Sequence, residues 1–317
     1  MGMKTESSVT PQVESLFGAI NQVFVGKPQV VKLTVATLLA RGHLLIEDVP
    51  GIGKTLLGVA LAHAVEASFR RIQFTNDLLP SDILGLSVFN QRDTQFEFKP
   101  GPIFSHVVLA DEINRSTPKT QSALLEAMND LQVTIDGKTH ILPEPFLVIA
   151  TQNPVEYHGT FPLPEAQLDR FLMRIQIGYP SPEEAKKILR EKDLSTQIKG
   201  LKAALKRDAV LALQQKADDV RVEEGLLDYI VKIAEATRAG KSFKLGLSPR
   251  GALALARAAR AYALVEGRAY CVPDDIKAVA VPVIAHRIVL DTSLYGVARI
   301  AEAEEAVASV LKNVAAP

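Results

Sequence analysis

Nine residues decide the fold of this chain: "EDVPGIGKT", residues 47–55, which follow the apolar run "HLLI" at residues 43–46. The second half, "GIGKT" at residues 51–55, matches the end of the phosphate-binding pattern G-x-x-x-x-G-K-[ST]. The first position of that pattern is Asp48 rather than glycine. Apolar residues recur with helical spacing over residues 56–64, so the stretch has the strand–loop–helix context that the pattern requires.

Phosphate binding in such a loop depends mainly on backbone N–H groups at the start of a helix. Glycines at positions 51 and 53 let the backbone approach the phosphate oxygens. Lys54 supplies a charge to the outer phosphates of ATP, and the Thr55 hydroxyl is a ligand for Mg²⁺. Because residues 51–55 form this cradle, we expect that Asp48 does not touch ATP. The candidate nucleotide-binding residues are Val49, Pro50, Gly51, Ile52, Gly53, Lys54, Thr55 and Leu56.

A second stretch, "HVVLADEINRS", places two carboxylates at the end of a buried strand. Asp111 is a candidate Mg²⁺ ligand, and Glu112 is a candidate for polarising the attacking water. Neighbouring residues on a strand point to opposite faces, so both can serve one site only where the strand ends. Carboxylates at strand ends are common, and the glycine loop upstream is what makes this pair a strong signal.

A third stretch, "FLVIATQNP", brings Gln152 and Asn153 to the end of another buried strand. Ligands of open α/β sheets bind at the carboxyl ends of the strands. A neutral amide there can bind the γ-phosphate or hold the attacking water. Taken alone, an asparagine before Pro154 is more typical of a turn.

Three arginines occupy unusual positions. Arg170 and Arg174 lie just before and within the last predicted strand, in "EAQLDRFLMR". Arg250 lies in the first turn of a predicted helix, after the capping residue Ser248. A cation in a first helical turn opposes the helix dipole, typically by about 0.3–1 kcal/mol, and a nearby anion would remove that penalty. A solvated surface arginine is the alternative.

The chain divides into two predicted parts. Residues 1–178 alternate β-rich runs with helical patterns, which is typical of a parallel sheet in an α/β fold. Residues 179–317 read as helical, after a break at "GYPSPEEA". The predicted strands are 43–47, 70–75, 106–110, 146–151 and 172–177. The predicted helices of the second part, in which we expect no strand, are 182–194, 208–217, 222–238, 249–265, 273–288 and 301–313.

Two hairpins interrupt the first part. "QVTIDGKTHIL" contains Asp136-Gly137, a strong two-residue turn signal, between two alternating runs. "LSVFNQRDTQFEF" alternates on both sides of residues 90–94 and is a weaker case. Neither hairpin is needed for a simple nucleotide-binding fold, so they are either specialised contacts or decoration.

Composition narrows the classes of function. The chain has 317 residues, with 36 basic and 36 acidic side chains, so a general nucleic-acid binder is not favoured. One cysteine, Cys271, rules out an internal disulfide and is expected as a small buried residue, which fits the cytoplasm. No apolar run approaches the about 18 residues of a membrane span. His158 and His286 are expected at the surface or at helix ends.

These motifs in this order resemble the MoxR family of AAA+ ATPases. The resemblance covers nearly the whole chain, from about Gln12 to the last helix. The stretches that carry it are "EDVPGIGKT", "DLLPSDILG", "FKPGPIF", "LADEINRSTPKTQSALLEAM", "ATQNPVEYHGTFPLPEAQLDRF" and "LGLSPRGAL". It implies an AAA+ three-layer sandwich with a parallel sheet, followed by a smaller all-α lid domain.

The resemblance also implies roles for the residues. Residues 48–55 would be Walker A, and Asp111 with Glu112 would be Walker B. Asn153 would be sensor 1. Arg250 would be sensor 2, which reaches the γ-phosphate from the lid. Arg170 would be the arginine finger that completes a neighbouring subunit's site, with Arg174 as the less favoured choice. The hairpins at 133–141 and 87–98 would be the pre-sensor-1 and helix-2 insertions.

Members of this family assemble into rings, typically hexamers. The resemblance implies ATP and Mg²⁺ as cofactors, and a chaperone-like or metal-insertion role on a protein client, with a possible partner that bears a von Willebrand factor A domain. Two alternatives stay open. One is a nucleotide-controlled scaffold with negligible hydrolysis. The other is a magnesium-chelatase-like or MCM-like motor, although the hairpin tip Asp136-Gly137-Lys138 is a poor electrostatic footprint for DNA.

Overall fold

The structure is a computed structural model that describes residues 10–154, 159–190, 200–240, 242–292, 294 and 296–317. Its strands are β1 Leu44–Glu47, β2 Phe69–Gln73, β3 Gly85–Asn90, β4 Gln95–Pro100, β5 Val107–Asp111, β6 Gln132–Ile135, β7 Lys138–Ile141, β8 Leu147–Gln152, β9 Met173–Ile175, β10 Phe243–Leu245 and β11 Val289–Leu290. Its helices are α1 Thr10–Val23, α2 Pro28–Leu39, α3 Lys54–Ala64, α4 Pro80–Leu84, α5 Pro118–Asp130, α6 Glu165–Leu168, α7 Pro182–Arg190, α8 Arg207–Asp218, α9 Glu224–Ala239, α10 Pro249–Val265, α11 Pro273–Ile284 and α12 Gly296–Asn313.

A parallel sheet in the order β2-β5-β8-β1-β9 forms the middle layer. These are the strands that the sequence predicted, each within two residues at its ends. Every residue of β1 and β8 is buried, because helices cover both faces of the sheet. Helices α1, α2 and α3 pack on the face that carries Leu44 and Ile46, and α4 and α5 pack on the face that carries Leu45. The predicted α/β class with a parallel sheet is confirmed.

Both predicted hairpins are present. β6 and β7 pair antiparallel across a turn in which Asp136 and Gly137 have φ of +50° and +74°. Glycine adopts such angles freely and aspartate tolerates them, which is why this dipeptide makes the tight turn. β3 and β4 also pair antiparallel. The hairpins contact each other, since the Phe98 ring stacks on the His140 ring with centroids 4.0 Å apart.

The lid is helical, as predicted, with three differences. It contains an antiparallel pair, β10 with β11, although the sequence predicted no strand there. These strands are three and two residues long, too short for a periodic pattern to reveal them. Helix α11 ends at Ile284 rather than at residue 288, and α12 begins at Gly296 rather than at 301. Residues 191–194 of the predicted helix 182–194 lie outside the described residues.

One buried arginine fastens the lid to the edge of the sheet. Arg287 Nε lies 2.7 Å from Asp169 Oδ1, and its Nη1 donates to the Leu172 carbonyl O at 3.1 Å. Burial lowers the pKa of Arg287 to about 10, while Asp169 opposes that shift. The apolar core runs continuously from α1 to α12, so lid and sheet domain share one core. The domain boundary at residues 178–179 stays a prediction.

Two residues show how well burial could be read from sequence. Cys271 is buried, as predicted, and burial raises the pKa of its thiol to about 12. His286 was expected at the surface or at a helix end, and only the surface alternative is wrong, since His286 directly follows the C-cap of α11, Ala285. It is only 4% exposed, and its Nε2 lies 3.0 Å from the Phe171 carbonyl O. The predicted placement of His158 falls outside the described residues.

In the part of the chain that the structure describes, no helix is long and apolar enough to cross a membrane.

His43, at the amino end of β1, makes folding dependent on pH. Its Nδ1 accepts the Val148 N–H at 3.0 Å, so its Nε2 carries the proton and donates to the Met128 carbonyl O, also at 3.0 Å. Protonation of Nδ1 would break the first bond inside the core. Burial accordingly lowers the pKa of His43 from 6.5 to about 4.

We therefore expect the chain to lose stability in mild acid. Below pH 6.5 the unfolded chain takes up a proton that folded His43 excludes, so the loss begins there and continues to about pH 4. From pH 7 to pH 5 this one residue costs about 2 kcal/mol of unfolding free energy. Urea unfolding of the wild type and of His43→Gln at both pH values measures it. An equal change with pH in both proteins would contradict the assignment.

Candidate nucleotide site

The loop after β1 has the backbone that a phosphate cradle needs. Gly51 and Gly53 have φ of +84° and +95°, angles that residues with a side chain rarely adopt. Helix α3 begins at Lys54, and Leu57 N–H donates to the Gly53 carbonyl O at 3.0 Å. The N–H groups of the first turn therefore face the loop without a partner in the helix, and they add the positive end of the helix dipole.

Lys54 lies between the ends of β1 and β8. Its Nζ donates to the Asp48 carbonyl O, and it lies 3.5 Å from the Gln152 carbonyl O. Burial lowers the pKa of Lys54, whereas the carboxylates of Asp48, Asp111 and Glu112 act in the opposite direction. The ammonium group is thus held beside the loop by backbone oxygens that an incoming phosphate can replace.

The Asp48 carboxylate has a structural task away from the cradle. Its Oδ2 accepts the N–H groups of Ile177 and Gly178 at 2.9 and 2.7 Å, and its Oδ1 accepts Val49 N–H at 2.9 Å. Asp48 therefore ties the phosphate loop to the segment that leads from β9 into the lid. The sequence located Asp48 outside the cradle, but this bond to residues about 130 positions later had no local signal.

We expect Asp48→Ala to keep most of its affinity for ATP and to lose stability. The dissociation constant should change by less than tenfold, about 1.4 kcal/mol, because the carboxylate faces the segment after β9. Unfolding free energy should fall by about 1.5–3 kcal/mol, because three N–H groups lose a charged acceptor. Titration of a fluorescent ATP analogue and urea unfolding measure the two quantities. Lys54→Ala is the contrasting variant, and an equally large loss of affinity in Asp48→Ala would contradict the prediction.

Asp111 and Glu112 diverge where β5 ends. Asp111 is the last residue of the strand, and Glu112 has φ of +58°, the left-handed region. Thr151 bridges the pair, since its hydroxyl donates to Asp111 Oδ1 at 2.6 Å and accepts Glu112 N–H at 2.8 Å. A positive φ is unfavourable for glutamate and persists only where neighbours enforce it. This bend lets two adjacent carboxylates serve one site.

Strand β2 supplies two partners that the sequence analysis missed. Gln73 Nε2 donates to Glu112 Oε2 at 2.9 Å, and Arg71 Nε donates to Asp111 Oδ2 at 3.0 Å. The parallel register pairs Gln73 with Asp111, so these side chains meet at one edge. One signal in the sequence could have revealed these partners. Polar residues stand at the ends of two predicted strands, and parallel strands bring such ends to one edge of the sheet.

Thr55 and Asp111 offer a hydroxyl and a carboxylate, the oxygen ligands that Mg²⁺ prefers. Thr55 lies in the first turn of α3, and Asp111 lies at the end of β5. Arg71 already occupies one oxygen of Asp111, and its side chain is 49% exposed. The donor set fits Mg²⁺, provided that Arg71 shares or leaves that oxygen. Asn153 follows β8 and is buried, at the same carboxyl edge as the phosphate loop.

Arg170 and Arg250 lie together at the opposite edge of the sheet. Arg250 Nε lies 3.4 Å from Asp169 Oδ2, and Arg170 is the next residue in the chain, with its Nη1 on the Leu125 carbonyl O at 2.5 Å. Asp169 precedes β9, so this is the amino end of the strands. Arg250 Nη2 also lies 3.4 Å from Asn129 Oδ1.

The expectation that Arg250 reaches the γ-phosphate of its own chain therefore needs correction. Arg250 faces the amino edge of the sheet, whereas the loop 48–55 follows the carboxyl end of β1. The strand between them is about 10 Å long at 3.3 Å per residue. The lid is held at this edge by Arg287, which no motif flagged. Within one chain, neither Arg170 nor Arg250 faces the phosphate loop.

Arg174, the less favoured finger, is buried within its own chain, which makes Arg170 the better candidate. Arg174 is 8% exposed, with Nη1 3.3 Å from Glu47 Oε2 and Nη2 3.3 Å from Glu304 Oε1. A residue enclosed by its own chain cannot extend to a neighbour. Arg174 instead links the strand before the phosphate loop to helix α12 of the lid.

Comparison with known proteins identifies the family of the chain. Residues 43–173 match the ATPase family associated with various cellular activities (AAA), and residues 235–309 match the AAA lid domain. The uncharacterized protein YeaC of Bacillus subtilis is 49% identical over 288 residues, which cover 91% of this chain and 90% of that protein. Chaperone MoxR1 of Mycobacterium tuberculosis is 43% identical over 280 residues, which cover 86% of this chain and 74% of that protein.

A solved structure gives the same answer for the fold. The crystal structure of a candidate ATPase from Cytophaga hutchinsonii superposes with a TM-score of 0.88 at 37% identity, and the match covers 98% of this chain and 97% of that one. The likeness thus extends over both the sheet domain and the lid. This chain belongs to the MoxR family of AAA+ ATPases.

Proposed function

We propose that this protein hydrolyses ATP with Mg²⁺ as a ring of identical subunits, and that it uses the energy to remodel a protein client. The observation that carries the proposal is the separation of the two halves of the site. The loop 48–55, Asp111 and Glu112 lie at the carboxyl edge of the sheet, and Arg170 with Arg250 lie at the amino edge. A neighbouring copy that presents its amino edge to the loop would complete the site with both arginines.

Each residue then has a defined task. The N–H groups of residues 51–55 and the Lys54 ammonium hold the β- and γ-phosphates. Thr55 and Asp111 hold Mg²⁺, which when bound neutralises charge on the phosphate oxygens. Glu112, kept in place by Gln73, orients a water molecule for in-line attack.

The remaining polar groups would act on the γ-phosphate. Asn153 lies at the edge where that phosphate would be bound, so its amide can report its presence. Arg170 and Arg250 of the neighbour would stabilise the charge that develops on the transferred group. In this arrangement both arginines act between subunits, which replaces the expectation that Arg250 acts within one chain.

A protein client is supported by the relative named Chaperone MoxR1. We propose remodelling or maturation of such a client, metal insertion included, in a ring that is typically hexameric. A partner with a von Willebrand factor A domain and a cytoplasmic location are further parts of the proposal. Burial raises the pKa of the Cys271 thiol to about 12, so Cys271 is an unreactive packing residue. A single cysteine in this role fits a reducing compartment.

The test is the ATPase rate per subunit as a function of protein concentration. We expect the rate per subunit to rise with concentration and then to level off, in step with the mass of the assembly measured with and without nucleotide. Each new contact between two subunits would bring Arg170 and Arg250 of one subunit to the phosphate loop of the other. A measurable rate that is the same per subunit at all concentrations would contradict the shared site.

Two measurements on the assembled protein separate the alternatives. Negligible phosphate release from a fully assembled ring would favour the nucleotide-controlled scaffold over the ATPase. Binding to duplex DNA that weakens steeply with salt would favour the MCM-like motor, since phosphate contacts release counterions.

A further inference from the structure

A cavity of about 440 Å³ lies between the sheet and the lid. Glu47 and Gln152, at the carboxyl ends of β1 and β8, form part of its floor, and Ile300 and Ala303 of α12 form part of its roof. Glu47 shares a strand face with Leu45, because side chains alternate along a strand. That face carries α5, and α3 packs on the other one. The cavity therefore lies on the other face of the sheet from α3, which the phosphate cradle begins, although it shares Asn153 with the candidate nucleotide site.

Four buried side chains that line the cavity each leave a polar atom without a hydrogen-bond partner among the described residues. The atoms are Glu47 Oε2, Asn114 Oδ1, Gln152 Nε2 and His286 Nδ1. These residues are 9%, 7%, 9% and 4% exposed. Glu47 Oε2 is ion-paired with Arg174 at 3.3 Å and His286 interacts with the Pro282 backbone, so among the described residues Asn114 Oδ1 and Gln152 Nε2 are the two atoms of this set with no partner of any kind. An unsatisfied buried polar group costs about 1–3 kcal/mol, so two around one space indicate a polar ligand.

The charges around the cavity balance. Glu47 and Glu165 are acidic, and Arg174 and Arg299 are basic. Glu47 pairs with Arg174 at 3.3 Å and Glu165 pairs with Arg299 at 3.2 Å, so a lone anion or a lone cation would disturb one pair without replacing the charge that it displaces. A neutral amide would satisfy Asn114 and Gln152 but would leave the long Glu47–Arg174 contact without a closer charged partner. A molecule that carries both charges at one end matches the whole set.

The rest of the lining is apolar. Leu163, Leu168, Ile288, Leu290 and Ile300 face the same space. A cavity with an apolar wall and a few converging polar groups is the usual form of a small-molecule site, and its volume falls in the common range of about 300–1,000 Å³. The ligand that fits therefore has a zwitterionic head and an apolar body.

We propose that this cavity binds an α-amino acid with an apolar side chain. The ammonium group donates to Glu47 and to Asn114 Oδ1. The carboxylate accepts from Gln152 Nε2 and from Arg299, whose side chain is 43% exposed and shares its guanidinium with Glu165 at 3.2 Å. The side chain packs between Leu163 and Ile300.

Such a ligand would touch both the lid and the strand ends that hold the phosphate loop. Glu47 precedes Asp48, and the Gln152 carbonyl O accepts Asp48 N–H at 3.1 Å and lies 3.5 Å from Lys54 Nζ. Bound ligand would therefore hold the lid against the sheet and change the ATPase rate. This second consequence rests on the proposed function, whereas binding itself does not.

The test is calorimetric titration of the full chain with single amino acids. We expect one molecule of leucine, isoleucine, valine, methionine or phenylalanine to bind per chain, with a dissociation constant below about 1 mM for at least one of them. Aspartate and lysine should bind at least tenfold more weakly, a difference of about 1.4 kcal/mol. No saturable binding of any apolar amino acid would overturn the proposal.

Three variants locate the site. Ala303→Leu adds volume inside the cavity and should abolish binding. Ala301→Leu makes the same change at an exposed position of the same helix and should bind as the wild type does. Asn114→Leu removes one acceptor at similar size and should weaken binding at least tenfold.

Two results would contradict the assignment whatever the ATPase activity proves to be. Binding that survives Ala303→Leu would place the ligand elsewhere. N-acetyl-leucinamide that binds as tightly as leucine would show that the charged head is not recognised. If the amino acid binds but the ATPase rate is absent or does not change, the failure lies in the proposed function or in the coupling, and the site itself stands.

Discussion

Arg170→Ala is expected to lower the ATPase rate of the assembled protein by about 10³–10⁵-fold, the effect of losing an arginine finger supplied by a neighbour. The reason is geometric. Arg170 lies beside Asp169 at the amino edge of the sheet, so its own phosphate loop is out of reach, whereas the proposed ring would bring a neighbour's loop to it. ATP affinity of the isolated chain should be unchanged, because the loop 48–55 is intact. Phosphate release and nucleotide titration measure the two effects.

Mixing two inactive variants gives the sharper test. A subunit with Glu112→Gln has an intact Arg170, and a subunit with Arg170→Ala has an intact Glu112. Where the first lies beside the second in the right order, one complete site forms. We therefore expect activity to reappear on mixing, although each variant alone is inactive.

The controls separate a missing finger from a failed assembly. Arg221→Ala removes an arginine whose side chain is 77% exposed, and it should keep the wild-type rate. Mass measurement should show that the Arg170→Ala protein still assembles. Arg250→Ala, mixed in the same way, tests whether the lid arginine also acts between subunits. Full activity of the assembled Arg170→Ala protein would refute its role, and mixtures that stay inactive would argue against action between subunits.

Glu112→Gln is expected to lower the rate by about 10²–10⁴-fold while ATP still binds, the effect of removing a group that activates the attacking water. The substitution keeps the size of the side chain and the bend at residue 112. Its amide can still lie beside Gln73 and Arg115, but it cannot accept a proton from water. Single-turnover phosphate release and equilibrium binding of ATP measure the two quantities.

The matched control for this prediction lies on α5. Glu126→Gln makes the same change at an exposed position and should leave the rate unchanged. A Glu112→Gln protein that hydrolyses ATP as fast as the wild type would show that another group activates the water. A protein that no longer binds ATP would place Glu112 in nucleotide binding instead.

The sequence by itself determined the strands of the parallel sheet and the glycine positions of the loop after β1. Strands β1, β5 and β8 are buried on both faces, and their unbroken apolar runs are visible in any short window. The glycines at 51 and 53 occupy positions with positive φ, a demand that local geometry alone imposes. The order of these strands and of the glycine loop along the chain, with carboxylates and amides at the strand ends, was sufficient to identify the family.

The local sequence pattern did not predict which side chains hydrogen-bond to the two carboxylates of the site. Thr151 and Gln73 hold Asp111 and Glu112 because parallel strands bring their ends to one edge. The pairing of strands follows from the order of the sheet, in which β5 lies between β2 and β8. That order cannot be read from residues that are about 40 positions apart in the chain.

Only the tertiary structure decided where the lid arginine lies. The family resemblance implies that Arg250 is a sensor, but the direction in which Arg250 points depends on how the lid docks. Docking is set by contacts such as Arg287 with Asp169, 118 residues apart, and Arg174 with Glu304, 130 residues apart. The same docking encloses the cavity beside Glu47. The free energy of such contacts depends on burial between distant segments, whereas a sequence pattern records only the propensity and periodicity of each segment alone.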